Sequence, residues 1–129
     1  MVSEPKSNDM SSSSTSSYYS MTGLTHSLPV KLDPNNFLLW KMQMENVIIA
    51  HSLEGFIDGT NQCPFQFLSL EEKTTLNPLY TTWIRQDKML LSWIYSTITE
   101  SIMLEIIGHK TSYASWKALE TLYLCVQVK

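Results

Sequence analysis

From Leu32 onward, apolar residues recur at helical spacing, interrupted where asparagine, threonine and glycine start or stop helices. The strongest stretch runs from Asn77 to Ile98. Asn77 is suited to cap a helix, and Pro78 suits the first helical position because its missing N–H is no loss there. Projected at about 100° per residue, Tyr80, Ile84, Leu91, Ile94 and Ile98 line up, flanked by Trp83, Leu90 and Tyr95. Asp87 falls within this stripe. A carboxylate there has to be paired or hydrogen-bonded, so a structural role is expected, either accepting an indole N–H or capping a neighbouring helix.

The same pattern predicts three further helices. Asp33-Pro34-Asn35-Asn36 supplies a turn and an N-cap, and Phe37, Trp40, Met44, Val47, Ile48 and His51 share one face of a helix over 36–54. Gly55 is expected to end it in the left-handed conformation, and His51 to be packed or bonded to a carbonyl. Asp58-Gly59 reads as a tight turn. The following loop to Leu76 carries Phe65, Phe67, Leu68 and Leu70, which are expected to be pinned against the helices. Beyond the helix over 78–97, Thr99 is expected to cap a short one over 100–107 closed by Gly108. Thr111 starts the last, over 112–126, with Trp116, Leu119, Leu122, Tyr123 and Val126 on its apolar face. The expected fold is all-α, with about four helices.

Residues 1–23 differ in kind. Serine dominates them and large apolar side chains are few, so they cannot bury enough surface to offset their ordering entropy and are expected to be disordered. One domain, 24–129, accounts for the rest, with Leu28, Val30 and Leu32 forming an extended lead-in. The last helix ends close to the chain terminus, which suggests a domain truncated at its C-terminal end. The net charge of −3 does not favour strong nucleic-acid binding, which draws its affinity from cationic side chains. No secretory leader, lipidation motif or apolar run of about 20 residues is present, so a cytoplasmic protein without a membrane partner is expected.

The chemistry of catalysis or metal binding is not spelled out. Glycine-rich phosphate loops, nucleophile elbows and paired metal-ligand motifs are missing, and Cys63 and Cys125 form no CxxC. Cys63 with His51 or His26 lacks the flanking glycines and third group that position a nucleophile. Catalytic residues, metal ligands, cofactors and a small-molecule substrate are therefore not expected. Trp40, Trp83 and Trp116 fall on core faces. Trp93 projects with Met89 onto the otherwise polar side of its helix, beside Arg85, Gln86 and Ser92, and this pair is the candidate protein-contact patch.

Several motifs in order resemble a known family. Leu32-Asp33-Pro34-Asn35-Asn36-Phe37-Leu38-Leu39-Trp40-Lys41 is the first, then Gly55-Phe56-Ile57-Asp58-Gly59-Thr60 with Pro64. Asn77-Pro78-Leu79-Tyr80 with Trp83, Asp87 and Ser92-Trp93-Ile94 follows, and Ala114, Trp116 and Leu119 close the series. Together they resemble the amino-terminal region of plant Copia-type LTR-retrotransposon Gag polyproteins. The resemblance implies a capsid-like helical fold that self-associates or binds other Gag-like proteins. It also implies that Asn36, Phe37, Trp40, Gly55, Gly59, Trp83, Asp87, Trp116 and Leu119 are framework positions. Further capsid helices, a zinc knuckle and the enzymes of such polyproteins have no counterpart in this sequence. A non-enzymatic self-association module, of the kind a truncated relic would leave, is the expected function. A host-adopted protein-interaction domain is the alternative.

Overall fold

The computed structural model describes residues 31–128, with side chains of the last helix described through Leu124. The serine-rich segment 1–23 and the lead-in positions Leu28 and Val30 lie outside the described residues. Among the described residues there are five helices and no strand: α1 (Phe37–Ala50), α2 (Gly55–Asp58), α3 (Pro78–Ser96), α4 (Glu100–Ile106) and α5 (Ser112–Val128). Two isolated bridges supplement them, parallel between Leu32 and Ile98 and antiparallel between Phe67 and Leu76. The all-α expectation holds.

Local chemistry explains most of the helix ends. The Asn77 side chain accepts the Leu79 N–H at 3.1 Å and Pro78 opens α3, as the sequence predicts. The Thr111 hydroxyl accepts the Ala114 N–H at 3.1 Å at the start of α5. Asn36 precedes α1, but its side chain works backward: its oxygen accepts the Asp33 N–H at 2.8 Å and its amide donates to the Lys31 carbonyl at 2.9 Å. It fixes the entering turn instead of capping the helix.

The end of α1 corrects the expectation for Gly55. The helix stops at Ala50, and Ser52 takes the left-handed conformation with φ 59°. The Ser52 N–H donates to the Ile49 carbonyl at 2.9 Å and the Leu53 N–H to the Ile48 carbonyl at 3.0 Å. These two bonds, with buried Leu53 packed into the same core as Ile48, make a Schellman cap centred on a serine. Gly55 instead begins α2, and the left-handed glycine is Gly59, φ 86°, at the end of that turn. At α4, Thr99 precedes the helix but its side chain makes no capping hydrogen bond, and Gly108 follows the helix end without a positive φ.

The longest helix, α3, is not the hub. The closest helix approaches all converge on α5, which packs against α1, α2, α3 and α4. Side chains mark three of these joints. Lys41 of α1 meets Glu120 at 3.6 Å, the Asp87 carboxylate of α3 accepts the Ser112 N–H at 3.0 Å, and the Tyr123 hydroxyl donates to Glu105 of α4 at 2.9 Å. The core runs between these helices, from Leu32, Phe37, Trp40, Met44 and Ile48 through Leu90, Trp93 and Ile94 to Ile102, Ile106, Trp116 and Leu119.

Candidate functional site

The framework residues gather in three places. At the first, Phe37 and Trp40 of α1 pack on α5. The Trp40 and Trp116 rings lie 5.3 Å apart, Phe37 and Tyr123 6.0 Å, and Leu119 is fully buried beside them. The Trp40 indole N–H donates to the Thr97 hydroxyl at 3.1 Å, which in turn donates to the Ile94 carbonyl at 2.8 Å. Thr97 also receives the lead-in, because its carbonyl accepts the Leu32 N–H at 2.8 Å. A buried indole is satisfied and three chain segments are joined at one residue.

The second place is the joint of α3 with the start of α5. Asp87 is only 1% exposed. Its Oδ1 accepts the Ser112 N–H, and its backbone carbonyl accepts the Ser112 hydroxyl at 2.9 Å. Of the two roles expected for this carboxylate, the geometry is that of a cap on a neighbouring helix. A negative group at a helix N-terminus also complements the helix dipole. Oδ2 has no hydrogen-bond partner in the structure, although the Lys88 ammonium stands 3.8 Å away. Lys88 in turn donates to the Lys110 carbonyl, closing the same joint from outside.

The third is a groove of about 450 Å³ bounded by Gly55, Gly59, Cys63, Trp83 and Tyr113. Both glycines are close-approach positions. A Cβ on Gly55 would stand 2.7 Å from the Asn61 Cβ, and one on Gly59 3.1 Å from the Tyr113 ring. Trp83 packs on Phe56 with rings 5.2 Å apart and donates its indole N–H to the Asn61 carbonyl at 2.9 Å. Asp58 accepts from the Thr60 hydroxyl at 2.7 Å and its N–H at 2.8 Å, bonds that hold the carboxyl below the usual aspartate range. Desolvation, reinforced by the charge of Asp87, pushes the Cys63 thiol up and so disfavours the reactive thiolate.

The Cys63–His51 pair is not assembled. The Cys63 thiol donates to the Pro64 carbonyl at 3.4 Å, whereas the His51 Nδ1 lies 3.0 Å from the Val47 carbonyl with its ring edge-on to Trp93. His26 and the Cys125 side chain lie outside the description. Among the described residues, no three His, Cys, Asp or Glu side chains gather to hold a metal ion, and no helix is long and apolar enough to cross a membrane.

The contact patch assigned to Met89 and Trp93 is corrected. Trp93 is 1% exposed and Met89 is partly buried against the core. Because α3 is covered on two sides, its buried arc spans Asp87, Leu90, Leu91, Trp93 and Ile94, rotated from the arc through Tyr80 and Ile84. Trp93 meets His51 at the end of α1, 5.8 Å between rings.

Exposed apolar side chains lie elsewhere. In the segment between α2 and α3, Phe65, Leu68 and Leu70 are exposed, Phe65 by 71%, so the expectation that they are pinned does not hold. The segment is braced by its own backbone, with Leu68 N–H to the Thr75 carbonyl at 2.9 Å and Asn77 N–H to the Gln66 carbonyl at 2.8 Å. A second apolar surface lies on α1 at Leu38, Leu39, Met42 and Ile49, and a third at Leu104 of α4 and Ile107 just beyond its end. No sequence signal of the helical kind marked the first. The second was hidden because α1 is apolar on both faces.

Comparison with known proteins finds sequence similarity to part of two mobile-element polyproteins. The chain is 31% identical over 93 residues to the retrovirus-related Pol polyprotein from transposon RE2 of Arabidopsis thaliana, and 30% identical over 93 residues to that from transposon RE1 of the same plant. The match takes in 72% of this chain and 6% of each polyprotein. The chain is thus related to plant retrotransposon polyproteins and spans a small part of their length. No family model matches the sequence, and no solved structure matches the fold.

Proposed function

We propose that this chain is a non-enzymatic structural module of Copia-type Gag origin whose function is association with copies of itself or with other Gag-like proteins. The observation that carries the reading is the apolar surface left open on α1, on the 65–70 segment and on α4. Scattered single apolar residues are ordinary, but exposed apolar side chains grouped on one element mark contact sites. Polar groups in the three framework places serve the fold. Asp87 holds α5, the Trp40 indole holds Thr97, and Asp58 closes its own turn. The relatives support the reading through their retrotransposon origin, and the motif order from Asn36 to Leu119 supports the Gag region of such an element.

Several separate surfaces matter for assembly, because one self-complementary patch stops at a dimer while two different ones permit extended arrays. Light scattering and electron microscopy across a range of protein concentrations test the proposal. Concentration-dependent oligomers are expected. A chain that stays monomeric throughout would remove the self-association reading and leave an interaction domain for a different protein.

A further inference from the structure

We propose that the outer face of α1 pairs two copies of this chain in parallel about a two-fold axis, through Leu39, Met42, Asn46 and Ile49. The inference rests on the self-association reading and assigns it a surface. These four positions follow one another at intervals of three, four and three, the alternation of an a–d–a–d seam in a coiled coil. All four are exposed, with Leu39 at 45% and both Met42 and Ile49 at 55%. The opposite side of the same helix, Phe37, Trp40, Met44 and Ile48, is fully committed to the core. A helix apolar all round is one that is covered all round, and the fold covers only half of α1.

Two features select a second copy over a different protein. The first is charge. The ionic groups of α1 are Lys41 and Glu45, which pair with each other at 3.0 Å, and Lys41 also reaches Glu120. The seam itself presents no net charge that would select an oppositely charged partner, and no like charges meet when it is repeated by a two-fold. The second is Asn46. Against a foreign apolar face its amide would be buried without a partner, at the cost of an unmade hydrogen bond. Against its own symmetry mate, amide faces amide, and each supplies the donor and the acceptor that the other lacks. A single asparagine at an a position fixes register and pairing in just this way, at some cost in affinity.

Area sets the strength. A helix of 14 residues is about 21 Å long and offers less than the roughly 800 Å² per partner of a standard stable interface. The pair is therefore smaller than a standard stable interface and serves where many copies are held at high local concentration.

Sedimentation equilibrium of the full chain, with circular dichroism of every variant to confirm that the fold is kept, tests the inference. Met42→Lys and Ile49→Lys should each weaken dimerisation by about tenfold or more. Asn46→Leu should tighten association while admitting species larger than dimers. In a Cys63→Ser, Cys125→Ser background, Asn46→Cys should cross-link two chains on oxidation, since a parallel pair brings the two positions within disulfide reach. Self-association that ignores Met42→Lys and Ile49→Lys would overturn this surface while leaving the self-association reading standing. Dimerisation that Met42→Lys and Ile49→Lys each abolish, with no cross-link through Asn46→Cys, would overturn the parallel register. A monomer at all concentrations would overturn both the surface and the reading beneath it.

Discussion

At the residue scale, Asp87 shows how a buried carboxylate is held by geometry without catalytic partners. Oδ1 accepts one buried N–H and the backbone carbonyl takes the Ser112 hydroxyl, so the side chain is worth its desolvation only while α5 stays docked. Asp87→Leu leaves the Ser112 N–H unpaired in the interior and should destabilise by about 1–3 kcal/mol in chemical denaturation. Asp87→Asn keeps an accepting oxygen and should cost less. Neutral results for both would remove Asp87 from the joint. Tyr123 gives a second residue-scale prediction. Desolvation, followed by its hydrogen bond to Glu105 and that carboxylate's charge, pushes the phenol up to about 12 from its usual value near 10. The folded protein then keeps a proton that the unfolded chain releases. The contribution is present below the unfolded pKa and is lost as pH rises from about 10 through about 12. Thermal melts over that window should fall more steeply for the native chain than for Tyr123→Phe. Ultraviolet titration should show one tyrosine ionising late.

At the scale of elements, what the sequence revealed was set by how local the deciding interaction is. The start of α3 was legible because Asn77 and Pro78 carry their own geometry, and the Leu79 N–H is two residues away. The end of α1 was not. A glycine at 55 looks like a cap, yet what fixes it is contact with Asn61, while the cap formed at Ser52 through Leu53 and Ile48. Likewise, the buried face of α3 depends on His51 and Ser112, from two other helices, so periodicity alone turned Trp93 outward. The serine cap is itself testable. A non-glycine residue at φ 59° carries a steric cost that glycine escapes, partly offset by glycine's greater freedom in the unfolded chain. Ser52→Gly should therefore stabilise by roughly 0.5 kcal/mol, read as a shift in denaturation midpoint without a change in slope. A loss of stability would mean that the serine side chain contributes more to the turn than its backbone costs.

At the scale of the whole molecule, α5 brings the other helices into one body. On its apolar face Trp116 and Leu119 are buried, while Leu122, 39% exposed, stays open to solvent. What remains open is apolar, and this bears on nucleic acid. Backbone binding of RNA draws on cations that release counterions, yet the chain carries a net charge of −3. Several of its cations are already engaged. Lys41 pairs with Glu45 and Glu120, Lys88 stands against Asp87 and the Lys110 carbonyl, and Lys117 pairs with Glu120 beside the Tyr113 ring. Recruiting these groups to phosphate would break contacts that join α1, α3 and α5. The tryptophans offer little stacking surface either, since Trp40, Trp93 and Trp116 are buried and Trp83 is bonded to Asn61, which leaves Phe65 and Tyr113 as exposed aromatic faces. Filter binding to single-stranded RNA at physiological salt should give a dissociation constant no tighter than about 10 µM, with a shallow dependence on salt. Lowering the salt should tighten it only a few-fold, because few phosphates are neutralised. A submicromolar constant with a steep salt slope would overturn this expectation, and the module would then hold RNA directly as well as its neighbours.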